Sequence, residues 1–136
     1  MTDEYRIGAE DLDVDLVHRW LSTDAYWATG RSREAVERSI GNSYCLGGFA
    51  ADGSQVAFAR AVTDWATFAW IADVYVDRAH RGRGLGSRLV GELCDAIRAH
   101  GVDRLVLATA DAHGVYANLG FAALARPERF MEIDQR

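Results

Sequence analysis

From Asp73 to Val90 the chain reads Asp-Val-Tyr-Val-Asp-Arg-Ala-His-Arg-Gly-Arg-Gly-Leu-Gly-Ser-Arg-Leu-Val. That is an apolar strand, a loop with glycine at every second position, and the start of a helix. Successive main-chain N–H groups in such a loop, backed by the positive end of a helix dipole, form an anion site. Gly82, Gly84 and Gly86 let the main chain approach a phosphate, while Arg78, Arg81, Arg83 and Arg88 add formal positive charge. The chemistry indicated is capture of a diphosphate-bearing cofactor.

Three familiar phosphate motifs fail here. A dinucleotide fingerprint needs glycine where Ser87 or Leu89 stands, and a P-loop needs a lysine that this segment lacks. A kinase-type glycine loop precedes a strand, whereas a helical pattern follows Gly86. What remains, Arg81-x-x-Gly84-x-Gly86, resembles the acetyl-CoA signature of the GNAT superfamily of N-acetyltransferases. The resemblance implies that the main chain of Val74, Tyr75 and Val76 pairs with the pantetheine arm of acetyl-CoA. It also implies that the amides of Arg81, Gly82, Arg83, Gly84, Leu85, Gly86 and Ser87 hold the diphosphate. A backbone N–H near Val74–Tyr75, freed by a strand distortion, is its candidate oxyanion donor.

A second matching segment is Asp111-Ala-His-Gly-Val-Tyr-Ala-Asn-Leu-Gly-Phe121, in which Ala112, Tyr116, Gly120 and Phe121 fall at the family's spacing. Thr109 departs from it, since many relatives carry asparagine there. Tyr116 suits the chemistry: a phenol with a pKa near 10 can protonate a thiolate whose ordinary pKa is about 8.5. Asp73 lies opposite Val74 and Val76 by strand alternation, so with Tyr75 it is expected to face the acceptor cleft and to bind an amine or relay its proton. His80 is a rival base, placed in the phosphate loop. Acceptor contacts are expected from Tyr26, Trp27, Phe58 and Arg60, with Trp65, Phe68 and Trp70 as further aromatic walls. The elements Tyr26–Arg31 and Ala108–Gly114 are similar to those of a group of small bacterial GNAT proteins, which fixes no acceptor.

The elements that must position these groups follow from periodicity. Tyr5–Gly8 reads as a short strand and Leu12–Ser22 as an amphipathic helix; a second helix is capped by Ser32. Tyr44–Ala50 and Gln55–Thr63 flank the turn Ala51–Ser54, and a long strand covers Thr67–Val76 after a turn at Asp64–Ala66. Leu85, Leu89, Leu93 and Ile97 form one helix face that stops at Gly101. Leu105–Ala108 completes a right-handed βαβ unit. Asp111 is expected to cap a short helix through Asn118, and Ala122–Leu124 with Arg129–Ile133 to form a closing hairpin. The fold class is α/β (α+β mixed): a GNAT-like mixed sheet of about seven strands, antiparallel in its N-terminal half, with helices on both faces.

At 136 residues the chain has the length of a single domain, 1–136. Its net charge of −5 argues against sequence-independent nucleic-acid binding. No apolar run spans a membrane and no secretory pattern opens the chain, so a cytoplasmic protein is expected. Cys94 reads as a reduced thiol buried on a helix, Cys45 opens a strand with no paired histidine in view, and no metal is expected. The leading expectation is direct acetyl transfer from acetyl-CoA to a primary amine on a small molecule or peptide; polyamine-like or amino-acid amines suit the acidic surface. Family members are frequently dimers, so a homodimer is admitted. The alternatives are a noncatalytic acyl-CoA-binding sensor, which would not require Tyr116 and Asp73, and a structural domain whose glycine loop is only a tight turn.

Overall fold

The computed structural model describes residues 4–136. Five strands form one sheet in sequence order: β1 (Arg6–Gly8), β2 (Tyr44–Phe49), β3 (Gln55–Thr63), β4 (Ala69–Val76) and β5 (Leu105–Val106). The first four are antiparallel neighbours, and β4–β5 is the parallel pair of the βαβ unit. Helices α1 (Val14–Asp24) and α2 (Arg33–Gly41) precede β2, α3 (Leu85–Arg98) crosses between β4 and β5, and α4 (His113–Ala117) follows β5.

Alternation along β3 explains why helices cover both faces. Ala57, Ala59 and Ala61 turn toward α3 and pack with Leu85, Leu89, Leu93 and Ile97. Phe58, between them, joins Val17, Trp20, Leu21 and Val36 from α1 and α2. Small side chains on the α3 side let that helix lie close to the sheet. Ser32 caps α2 by accepting from Ala35 N at 3.1 Å, as its position in the sequence required.

Two expectations fail. The sheet has five strands rather than seven: Ala122–Leu124 and Arg129–Ile133 form no strand, and Pro127–Arg129 is a 3-10 turn instead. β-propensity expresses fit to a half-buried pleated surface. Met131 and Ile133, 96% and 92% exposed, have no such surface under them. Asp111 does not cap α4 either. The hydroxyl of Thr109 accepts from Ala112 N at 3.1 Å and Asp111 N at 3.4 Å, so this departure from the family pattern takes over the turn.

Candidate active site

β4 carries a bulge. Phe58 pairs with Tyr75 but Arg60 pairs with Ala72, so Asp73 and Val74 together face the single residue Ala59. Asp73 takes the left-handed conformation, φ 54°, which costs a non-glycine residue about 1–2 kcal/mol. The extra residue reverses the alternation. Ile71 packs toward α3, whereas Asp73, two positions on, bonds to the α1–α2 connection on the opposite face. Beyond the bulge the expected order holds, with Tyr75 among the α1–α2 residues and Val74 and Val76 toward α3.

Asp73 is held by three donors. Its Oδ1 accepts from Trp27 Nε1 at 2.9 Å; its Oδ2 accepts from Arg31 Nη1 and Arg60 Nε, both at 2.8 Å. The side chain is 1% exposed. Three donors from the α1–α2 connection and β3 thus hold the carboxylate of a strained residue, and with it the bulge.

β4 and β5 pair only at Ala69–Leu105 and Trp70–Val106, then part. Two cavities open along the gap. The first, about 660 Å³, is lined by Arg31, Arg60, Trp70, Asp73 and Thr109, among others. The second, about 550 Å³, is lined by Tyr75, Val76, His80, Arg81 and the loop residues Gly82, Gly84, Leu85, Gly86 and Ser87. Tyr26, Trp27, Val74, Asp111, Ala112 and Tyr116 line both, so the cavities meet at Tyr116.

The second cavity has the features an anion requires. Gly82 and Gly84 are left-handed (φ 80° and 79°), and α3 starts at Gly84 with no side-chain cap. Its first amides therefore face the cavity with the dipole behind them. Gly86 is the informative glycine. A Cβ there would meet only Val76 Cγ2, at an ordinary 3.4 Å, so the fold itself does not demand glycine. The open space is what a diphosphate lying on the amides would use, and these residues fit that group.

The loop is anchored from behind. Arg78 pairs with Asp24 at the end of α1, Tyr75 Oη donates to the same carboxylate at 2.6 Å, and Arg81 Nη2 reaches it at 3.4 Å. The hydrogen bond from Arg78, then that from Tyr75, holds the Asp24 carboxyl well below the usual carboxylate range. Arg81 Nε donates to Val76 O at 2.8 Å, so this guanidinium fastens the loop to β4.

The site residues expected from sequence divide. Tyr26, Trp27, Arg60, Asp73, Val74 and Tyr116 converge on the first cavity, and Tyr26 Oη accepts from Ala110 N at 3.1 Å. Tyr75 does not line it: its ring stacks on Trp20 at 5.1 Å, and it lines the second cavity instead. Phe58, assigned to the acceptor, is 0% exposed in the core and lines neither cavity. The side chain of Arg83 turns away to Glu4 and Tyr5. Of the aromatic walls only Trp70 serves; Trp65 packs on Tyr44 and His100, and Phe68 lines neither cavity. His80 lines the second cavity, its Nδ1 2.8 Å from Tyr5 Oη.

Sequence reasoning missed Arg31, Asp24 and Asp111. Arg31 ends the Tyr26–Arg31 element already singled out, and a lone arginine just before a helix cap was the available signal. The Tyr116 phenol is pushed up by burial, and further by Tyr26 and Asp111. Burial also raises the Cys45 thiol to about 12 and the Cys94 thiol to about 11. Neither cysteine lines either of these two cavities. No helix among the described residues is long and apolar enough to cross a membrane.

Known proteins resemble this chain in sequence and in fold. The family model described as the acetyltransferase (GNAT) family matches residues 14–121. A Xanthomonas campestris structure provisionally named as a GNAT-family acetyltransferase is 42% identical, with a TM-score of 0.90 over 96% of this chain and 92% of that one. Glucosamine 6-phosphate N-acetyltransferase of Trypanosoma brucei brucei is 38% identical over 65 residues, covering 47% of this chain and 42% of that protein. N-acetylglutamate synthase of Neisseria gonorrhoeae, complexed with coenzyme A and N-acetyl-glutamate, shares the fold at 23% identity and a TM-score of 0.70 over 84% of this chain and 27% of that one.

Proposed function

Given that the chain belongs to the GNAT family of acetyltransferases, we propose that it moves an acetyl group from acetyl-CoA to a primary amine by direct attack on the thioester. The observation that carries this reading is Tyr116, shared by the amide-lined cavity and the cavity beside Asp73. In this reading Gly82–Ser87 bind the diphosphate and the main chain of Val74–Val76 aligns the pantetheine arm. Acetyl-CoA supplies an activated carbonyl and a thiol leaving group.

The protein's own part is positioning and proton handling. The bulge at Asp73–Val74 breaks the ladder opposite Ala59, which makes a main-chain N–H there the candidate oxyanion donor. Tyr116, an ordinarily protonated phenol whose pKa burial raises further, delivers its proton to the departing sulfur in this reading. Asp73 is buried and held by three donors, two of them guanidiniums, so its role in this reading is to brace the bulge. The carboxylate left facing the cleft is Asp111, which lines both cavities and is suited to receive a cationic amine.

Two expected results test this reading. Gly86→Ala weakens coenzyme A binding by about tenfold, read by calorimetry. Its melting temperature holds or rises, because alanine is the better helix former by about 1 kcal/mol. Absence of any coenzyme A heat with the native protein would defeat the proposal. The buried, high-pKa cysteines also predict that incubation with acetyl-CoA and no amine leaves no acetyl group on the protein by mass spectrometry. An acetylated Cys45 or Cys94 would replace direct transfer with a covalent route.

A further inference from the structure

The charges around Asp73 do not balance. Arg31 and Arg60 both bond this one carboxylate, and no second carboxylate of the described residues lies within 4 Å of either guanidinium. Arginine does not give up its proton in proteins, so one unit of positive charge is left over. It is half-buried: the two side chains are 25% and 14% exposed. Apart from Arg31 Nη1 on Asp73, and Arg60 Nε on Asp73 with Nη1 on Ser43 Oγ at 3.2 Å, neither guanidinium donates to any of the described residues. Arg31 Nε and Nη2 and Arg60 Nη2 are therefore free, beside the 660 Å³ cavity that both residues line. Arg136 also lines it, but that guanidinium is taken by Asp134.

An excess cation with open, fork-shaped donors on a concave wall matches a planar or tetrahedral oxyanion. Topology adds a direction. Arg60 comes from β3, on one side of β4, whereas Asp111 and Tyr116 follow β5 on the other. The cleft thus has a cationic wall and, across the parting of β4 and β5, an acidic wall beside the proton donor. Resting on the transfer reading above, we infer that the amine acceptor carries an anionic group, a carboxylate or a phosphate monoester, held by Arg31 and Arg60 while its amine is turned to Asp111 and Tyr116.

The test is direct binding to the protein without coenzyme A, read by calorimetry. One arm titrates the protein α-amino acids, each beside its carboxamide; the other titrates glucosamine 6-phosphate beside glucosamine. The anionic member of at least one pair binds about tenfold or more tightly, and the arm in which this happens names the anion. Arg31→Lys keeps a cation on Asp73 but removes the fork; it abolishes that preference while the melting temperature and coenzyme A affinity hold. Equal binding within every pair, preference for the uncharged partners, or no binding of any member up to about 10 mM overturns the inference, as does an undiminished preference in Arg31→Lys. Anion-dependent binding in a protein that gives no coenzyme A heat would defeat the transfer reading and leave the anion site standing.

Discussion

Tyr116→Phe is expected to lower kcat by about 10²- to 10⁴-fold, the range of a positioned proton donor, with coenzyme A affinity and melting temperature nearly unchanged. The ring is what packs: it meets Phe121 edge-on at 6.0 Å, and phenylalanine preserves that contact. The hydroxyl makes no hydrogen bond with any of the described residues, so its loss strands no partner. The pH profile gives a second reading. Burial raises the phenol above the tyrosine value of 10.0, so the protonated donor persists at ordinary assay pH. The alkaline limb of kcat due to Tyr116 therefore lies above about 10, and Tyr116→Phe removes that limb along with the rate. Steady-state rates with a saturating amine, beside calorimetry with coenzyme A, check both. A variant that turns over normally would show that another group protonates the sulfur.

What the sequence exposed and what it hid divide along physical lines. The anion loop was legible because its causes are local: left-handed glycines, an uncapped helix start and a preceding strand all lie within a short segment. Tyr116 was legible for the same reason, by its spacing from Ala112 and Gly120. The bulge was not. Period-two counting places Ile71 and Asp73 on one face, and only the register against β3 shows that a residue has been inserted at Asp73–Val74. Phe58 failed for a related reason: its place on the hairpin beside Arg60 did not show that α1 and α2 close over its face completely. The two C-terminal strands failed because strand-forming residues need an edge to join, and β5 is paired over only two residues. Arg31 escaped notice because its significance is a charge count with Arg60 and Asp73, drawn from three separate elements.

That charge count makes Asp73 the most sensitive position in the site. Asp73→Ala is expected to destabilise the protein by about 3–5 kcal/mol, the usual cost of leaving buried charge uncompensated, and to lower the melting temperature by roughly 10–20 °C. Three effects act together: Arg31 and Arg60 lose their shared anion, Trp27 Nε1 loses its acceptor, and a left-handed φ falls to a residue that resists it. Asp73→Asn separates them. Asparagine tolerates the same backbone and still offers Oδ1 to one donor, but the two guanidiniums then face each other without a negative charge. Its loss of stability should be smaller than that of alanine yet clearly measurable by denaturant unfolding. Acetyl transfer should fall in proportion across the pH range, because a loosened bulge misplaces the main-chain donor at every pH. A carboxylate acting as proton acceptor behaves otherwise: Asp73→Asn would then melt with the native protein and lose rate alone. That pair of results would move Asp73 from brace to base and would return the amine-facing role from Asp111 to Asp73.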